Sequence, residues 1–152
     1  MATLKYLIIH CTATPEGREV TSDEIRHWHT DPVCKGGRGW KQVGYTDMLH
    51  LDGRFERLVR NNEDNIVDPW EITNGASGYN SISRHVVYVG GLASDAKTPK
   101  DTRTDAQKRA LEHYVKVFHG RHPQVRIIGH NEVAAKACPS FDVRKWLRSI
   151  GL

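Results

Sequence analysis

Lys5-Tyr6-Leu7-Ile8-Ile9-His10 reads as a strand, and three adjacent aliphatic residues within it decide the fold class. A strand with one face in water alternates apolar and polar side chains. Leu7, Ile8 and Ile9 leave no polar face, so this strand belongs in the middle of a sheet covered on both sides. His10 then stands at its C-terminal edge.

Downstream, Thr21 with Glu24 forms a capping box that opens a helix carrying Ile25 and Trp28, and Pro32 closes it. Gly36-Gly37-Arg38-Gly39 makes a loop; no Gly-Lys-Ser/Thr follows, which excludes a phosphate cradle. Thr46–Leu51 and Arg54–Val59 flank Asp52-Gly53, the signal for a β-hairpin with a type I′ turn. Asn61–Asn80 is rich in Asn, Asp and Gly and reads as a long loop bordering a groove.

Ser83–Val89 is a further strand, ended by Gly90-Gly91, and Asp95–Asp105 is a surface connection. Thr104 and Gln107 form a second capping box, opening a helix over Asp105–His119. Its stripe is Ala106, Ala110, Leu111, Tyr114, Val117 and Phe118. Val125–Gly129 is a short strand delivering His130, and Asp142 caps a last helix with Val143, Trp146, Leu147 and Ile150. Strands and helices alternate, which predicts an α/β fold, one domain over residues 1–152, with a central mixed β-sheet flanked by helices.

A chain of 152 residues is long enough for one core without disulfide staples. Hydrophobic residues at 38% and charged residues at 26% are ordinary for a soluble protein. No apolar run approaches the ~18 residues of a spanning helix, so membrane insertion is excluded. The start, Met1-Ala2-Thr3-Leu4-Lys5-Tyr6, lacks a classical secretion signal, and synthesis in the cytoplasm is expected. Cys11, Cys34 and Cys138 cannot all pair and none lies in a C-x-x-C unit, which argues against a disulfide framework. The formal charge of +4 fits attraction to a polyanion, nucleic acid or bacterial wall, and equally fits ordinary surface charge.

The chemistry-bearing stretch is Gly129-His130-Asn131-Glu132-Val133-Ala134-Ala135-Lys136-Ala137-Cys138-Pro139. It holds an imidazole, an ammonium group and a thiol in one short connection. A histidine ending an apolar strand is more often a core residue than a ligand. Two strand-terminal histidines, His10 and His130, with Cys138 held extended by Pro139, instead suggest three ligands to a catalytic zinc whose fourth position is open. Lys136 lies two residues before Cys138, on the same side of an extended segment, where it would stabilise an oxyanion; the alternative is a solvated surface lysine. Cys11 points to the opposite face from His10 as a small buried hydrophobe. Among the other histidines only His29 suggests a place behind the ligands; His85 and the rest read as surface or structural residues. Glu132 is a candidate base or a solvated carboxylate.

These motifs resemble the zinc-dependent N-acetylmuramoyl-L-alanine amidases related to peptidoglycan recognition proteins, the phage lysozyme-amidases in particular. The resemblance runs through Ile9-His10-Cys11-Thr12-Ala13-Thr14-Pro15, Glu24-Ile25-Arg26-His27-Trp28-His29 and Gly39-Trp40. It continues through Val43-Gly44-Tyr45, Asp52-Gly53, Gly78-Tyr79-Asn80-Ser81-Ile82-Ser83, Val89-Gly90-Gly91 and His130–Asp142. It implies zinc at His10, His130 and Cys138, with Tyr45 and Lys136 at the two other catalytic positions. The implied reaction is hydrolysis of the amide between N-acetylmuramic acid and L-alanine in peptidoglycan by zinc-activated water, performed by a monomer released to the wall. Two rival functions come with the resemblance: a non-catalytic peptidoglycan-binding module and a regulator of a phage RNA polymerase. Two departures stand out. Thr46 occupies the place after Tyr45 where a histidine is usual, and Arg84-His85 look like extra residues after Ser83.

Overall fold

The computed structural model describes residues Met1–Leu152. Five strands form the central sheet: β1 (Tyr6–Cys11), β2 (Asp47–Leu49), β3 (Phe55–Arg57), β4 (Ser83–Tyr88) and β5 (Arg126–Gly129). Their spatial order is β3-β2-β4-β1-β5. β1 pairs in parallel with β4 and β5, β2 pairs in parallel with β4, and β3 runs antiparallel to β2. The mixed sheet expected from the alternating elements is present. Two small pairs, Ala2–Thr3 with Ile66–Val67 and Thr14–Pro15 with Gly91–Leu92, fasten the sheet's ends.

β1 lies between two parallel neighbours, and Leu7, Ile8 and Ile9 are fully buried. Alternation divides its side chains. Leu7, Ile9 and Cys11 join Val86, Tyr88, Leu111, Val115, Phe118 and Val143 in one core layer, beneath α2 (Asp105–Arg121) and α3 (Val143–Ser149). On the other face, α1 (Ser22–Thr30) supplies Ile25 to a second layer with Val20, Val43, Met48, Val59, Val87 and Val89. His10 shares this second face. The sheet is flanked by helices on both sides because β1 has no polar face to leave in water.

Both capping boxes form. Thr21 accepts from the Glu24 amide while Glu24 accepts from the Thr21 amide, and Thr104 and Gln107 do the same for α2. Asp142 caps α3 through the Lys145 amide.

Three local expectations are corrected. The hairpin forms, but only Gly53 takes a positive φ, whereas a type I′ turn needs two such residues. The Gly53 amide bonds the His50 carbonyl and the His50 amide bonds the Arg54 carbonyl, a three-residue loop with glycine in the left-handed position. On α2, Val115 is buried and Val117 is 39% exposed. The stripe follows Gln107, Leu111, Val115 and Phe118, because the buried Gln107 side chain bonds the Val89 carbonyl and sets the helix's rotation. Asn61–Asn80 is not structureless: Ile66–Val67 is a strand and Pro69–Glu71 a short 3-10 turn. Arg84, itself buried, bonds Glu71 and the Ile66 carbonyl and so anchors this segment to β4.

Candidate active site

The segments leaving β1 and β5, the end of α1 and the segments leading into β2 and β4 line a cleft of about 880 Å³. Its lining includes His10, Trp28, His29, Arg38, Trp40, Tyr45, Asn74, Gly75, Asn80, His130, Lys136 and Cys138. His10, Tyr45, His130, Lys136 and Cys138 all reach it, whereas Glu132 does not. The later half of Asn61–Asn80 forms part of the wall, as a groove-bordering loop should.

His10 is the penultimate residue of β1 and is buried. His130 opens a short 3-10 turn at the end of β5, and its ring centroid lies 4.6 Å from that of His10. Cys138 comes from the loop before α3; its Sγ stands 3.7 Å from His10 Nδ1 and accepts from the Cys11 amide at 3.3 Å. One ligand atom from each of His10, His130 and Cys138 falls within 4.8 Å of the others. A tetrahedral zinc with Zn–N of ~2.0–2.1 Å and Zn–S of ~2.3 Å separates its N and S donors by roughly 3.5 Å. The 3.7 Å spacing fits, and the donor set of two imidazoles and one thiol suits zinc.

Burial first, then the neighbouring cationic forms of His85, His130 and Lys136, hold His10 well below the usual histidine range. Burial and Lys136 lower His130 as well. Both imidazoles are thus neutral at neutral pH, the form that binds metal. Hydrogen bonding with the Cys11 side chain and then burial push the Cys138 thiol up, a preference that coordination to a cation would reverse. Cys11 remains in the opposite core layer, as strand alternation requires.

Tyr45 sits with its ring centroid 5.3 Å from that of His10 and 5.2 Å from that of His29. Burial, followed by the Cys138 and Cys11 thiols, raises its phenol far above the ordinary value, so it stays a hydrogen-bond donor. His29 is buried behind it. Its Nδ1 accepts from the Gly44 amide at 2.9 Å, and burial followed by Arg38 lowers it to about 4. His29 thus supports the segment that carries Tyr45 and does not join the ligand cluster. Lys136 is exposed at the cleft wall. It arrives there through a turn in which its amide bonds the Ala134 carbonyl, not through the extended segment expected. Glu132 accepts from the Gly129 amide at 2.7 Å and pairs with Arg144, which makes it a structural cap.

Of the two places the sequence left open for His85, surface or structural, the structure takes the second and adds a partner the sequence did not show. His85 is fully buried on β4, with Nδ1 2.9 Å from His10 Nε2, and burial followed by His130 lowers it to about 3. The available signal was a lone histidine inside an otherwise strand-like run; the partner, 75 positions away, was hidden in the parallel register that sets His85 opposite Ile8.

The sequence pattern described as N-acetylmuramoyl-L-alanine amidase matches residues 1–141. The endolysin of Enterobacteria phage K11 is 35% identical, covering 93% of this chain and 83% of its own length. That of Escherichia phage T7 is 32% identical, covering 92% and 83%. Among solved structures, the endolysin of the Thermus scotoductus bacteriophage Ph2119 superposes with a TM-score of 0.72 at 23% identity, covering all of this chain and 88% of the other; it supports the fold. The chain belongs to the N-acetylmuramoyl-L-alanine amidase family. Its activity is hydrolysis of the amide between N-acetylmuramic acid and L-alanine, and peptidoglycan is its substrate.

Proposed function

We propose that the chain performs this hydrolysis as a zinc enzyme of the endolysin type, with His10, His130 and Cys138 holding one ion and Tyr45 and Lys136 serving the reaction. The observation that carries the reading is the convergence of three ligand atoms within 4.8 Å at the floor of an open cleft. Three protein ligands are the number a catalytic zinc uses, since one position stays open. When bound, zinc supplies Lewis-acid activation of water and of the scissile carbonyl at neutral pH.

The chain's own groups supply the rest. The cleft would position the muropeptide amide, and the segment Gly44-Tyr45 presents a protonated phenol that orients the attacking water and relays the proton this water gives up to the departing amine, ending protonated as it began. The ammonium of Lys136, at the cleft wall, would meet the negative charge that grows on the carbonyl oxygen. Charge complementarity there is worth most in the transition state, so Lys136 acts on turnover more than on binding.

Elemental analysis tests the ligand set. One zinc per chain is expected for the unaltered protein, with loss in His10→Ala, His130→Ala and Cys138→Ala; full zinc content in any of these variants would contradict the assignment. Size-exclusion chromatography tests the expected monomer. A pull-down with phage RNA polymerase tests the second activity that the family resemblance implies.

A further inference from the structure

His10 is engaged at both ring nitrogens. Nδ1 faces Cys138 Sγ at 3.7 Å, and Nε2 faces His85 Nδ1 at 2.9 Å. A neutral imidazole carries one proton. If Nδ1 is to offer a lone pair to a metal, the proton sits on Nε2, and His85 Nδ1 is the acceptor that meets it. His85 is then protonated on its own Nε2, and that buried atom has no hydrogen-bond partner. The fold thus leaves a donor stranded on the far side of His85 while keeping an acceptor turned toward His10. Buried polar groups are rarely left unpaired without a compensating use.

The backbone that carries the ring is also firmly held. The His85 amide donates to Thr46 Oγ1 at 3.1 Å, and its carbonyl accepts from the Thr46 amide at 2.9 Å. Gly75 packs against the ring so closely that a Cβ there would lie 2.5 Å from Nδ1. The parallel register sets His85 opposite Ile8, which shares a strand face with His10.

We infer that His85 is a positioning residue: it fixes the tautomer and ring orientation of His10, so that Nδ1 is presented bare to the metal. The inference rests on the zinc reading above. Outer hydrogen-bond partners of this kind change metal affinity by roughly 10- to 100-fold.

Two variants of the full chain separate acceptor from packing. His85→Asn places a carbonyl oxygen near the position of Nδ1, and His85→Leu fills the space without an acceptor. Zinc affinity, measured by competition with a chromophoric chelator, should fall about 10- to 100-fold in His85→Leu and stay within about threefold in His85→Asn. Nitrogen-15 spectra of histidine-labelled, zinc-loaded unaltered protein give a readout that needs no variant, and should show His10 protonated on Nε2 and His85 bare on Nδ1. Equal losses in both variants, unchanged affinity in His85→Leu, or a proton on His10 Nδ1 would overturn the inference while leaving the zinc reading intact. Failure of the unaltered chain to take up zinc would remove both.

Discussion

Gly75→Ala is the most informative single perturbation of the site that leaves every chemical group in place. The glycine is not in the left-handed backbone region, so the effect is purely steric. A methyl group built there meets His85 Nδ1 at 2.5 Å, the Gly44 carbonyl oxygen at 2.6 Å and His85 Cγ at 2.8 Å. Favourable heavy-atom separations are ~3.5–4.0 Å, so the overlap is about 1 Å against a buried ring and a backbone oxygen. Neither moves freely: the His85 ring is fully buried on a backbone held by Thr46, and Gly44 is held by His29. Overpacking of this kind costs about 1–3 kcal/mol. At ~2–4 °C per kcal/mol for a chain of this size, Tm should fall by roughly 2–12 °C. Relief by outward movement of the Asn74–Gly78 wall would shift the cleft by about 1 Å, and such a misplacement can lower turnover about 10²-fold. Thermal unfolding of the metal-free variant, paired with kcat/KM on peptidoglycan, reads both effects. A Tm within ~1 °C of the parent and unchanged turnover would refute the tight packing assigned here.

Further outcomes follow from the same geometry. Lys136→Ala should lower kcat roughly 10²-fold, the lower end for one oxyanion donor because the side chain is exposed; parallel metal analysis should show unchanged zinc, and full turnover would contradict its role. Thr104→Ala removes the α2 cap and the bond its hydroxyl donates to the Leu51 carbonyl, and should cost about 1–2 kcal/mol in urea unfolding. Metal-free protein should lose stability as pH falls from about 6.5, the unfolded histidine value, through about 4 for His29 and about 3 for His85. The sign follows because the unfolded chain binds more protons over that window. A Tm flat from pH 7 to 4 would contradict the buried neutral histidines, and His29→Gln should reduce the slope between pH 6.5 and 4.

The parts legible in the sequence were those with local signals. β1 announced itself through three adjacent aliphatics, α1 and α2 through capping boxes three residues long in reach, and His10, His130 and Cys138 through their places at strand ends and in a short loop. What escaped depended on distant contacts. The turn at Asp52-Gly53 is decided by the φ of Asp52, which the dipeptide alone does not set. The rotation of α2 is fixed by Gln107 reaching the Val89 carbonyl, so Val115 and not Val117 is buried. His85 becomes meaningful only once β4 is laid beside β1 in parallel register. That pairing brings it to His10, just where Thr46 stands in place of the histidine usual after the tyrosine.

Digestion of purified peptidoglycan, with and without a metal chelator and with zinc added back, tests zinc-dependent amide hydrolysis when the released ends are identified by mass spectrometry. New L-alanine amino termini should appear, disappear with chelator and return with zinc. Intact lactyl-alanine bonds, or cleavage indifferent to the chelator, would contradict it.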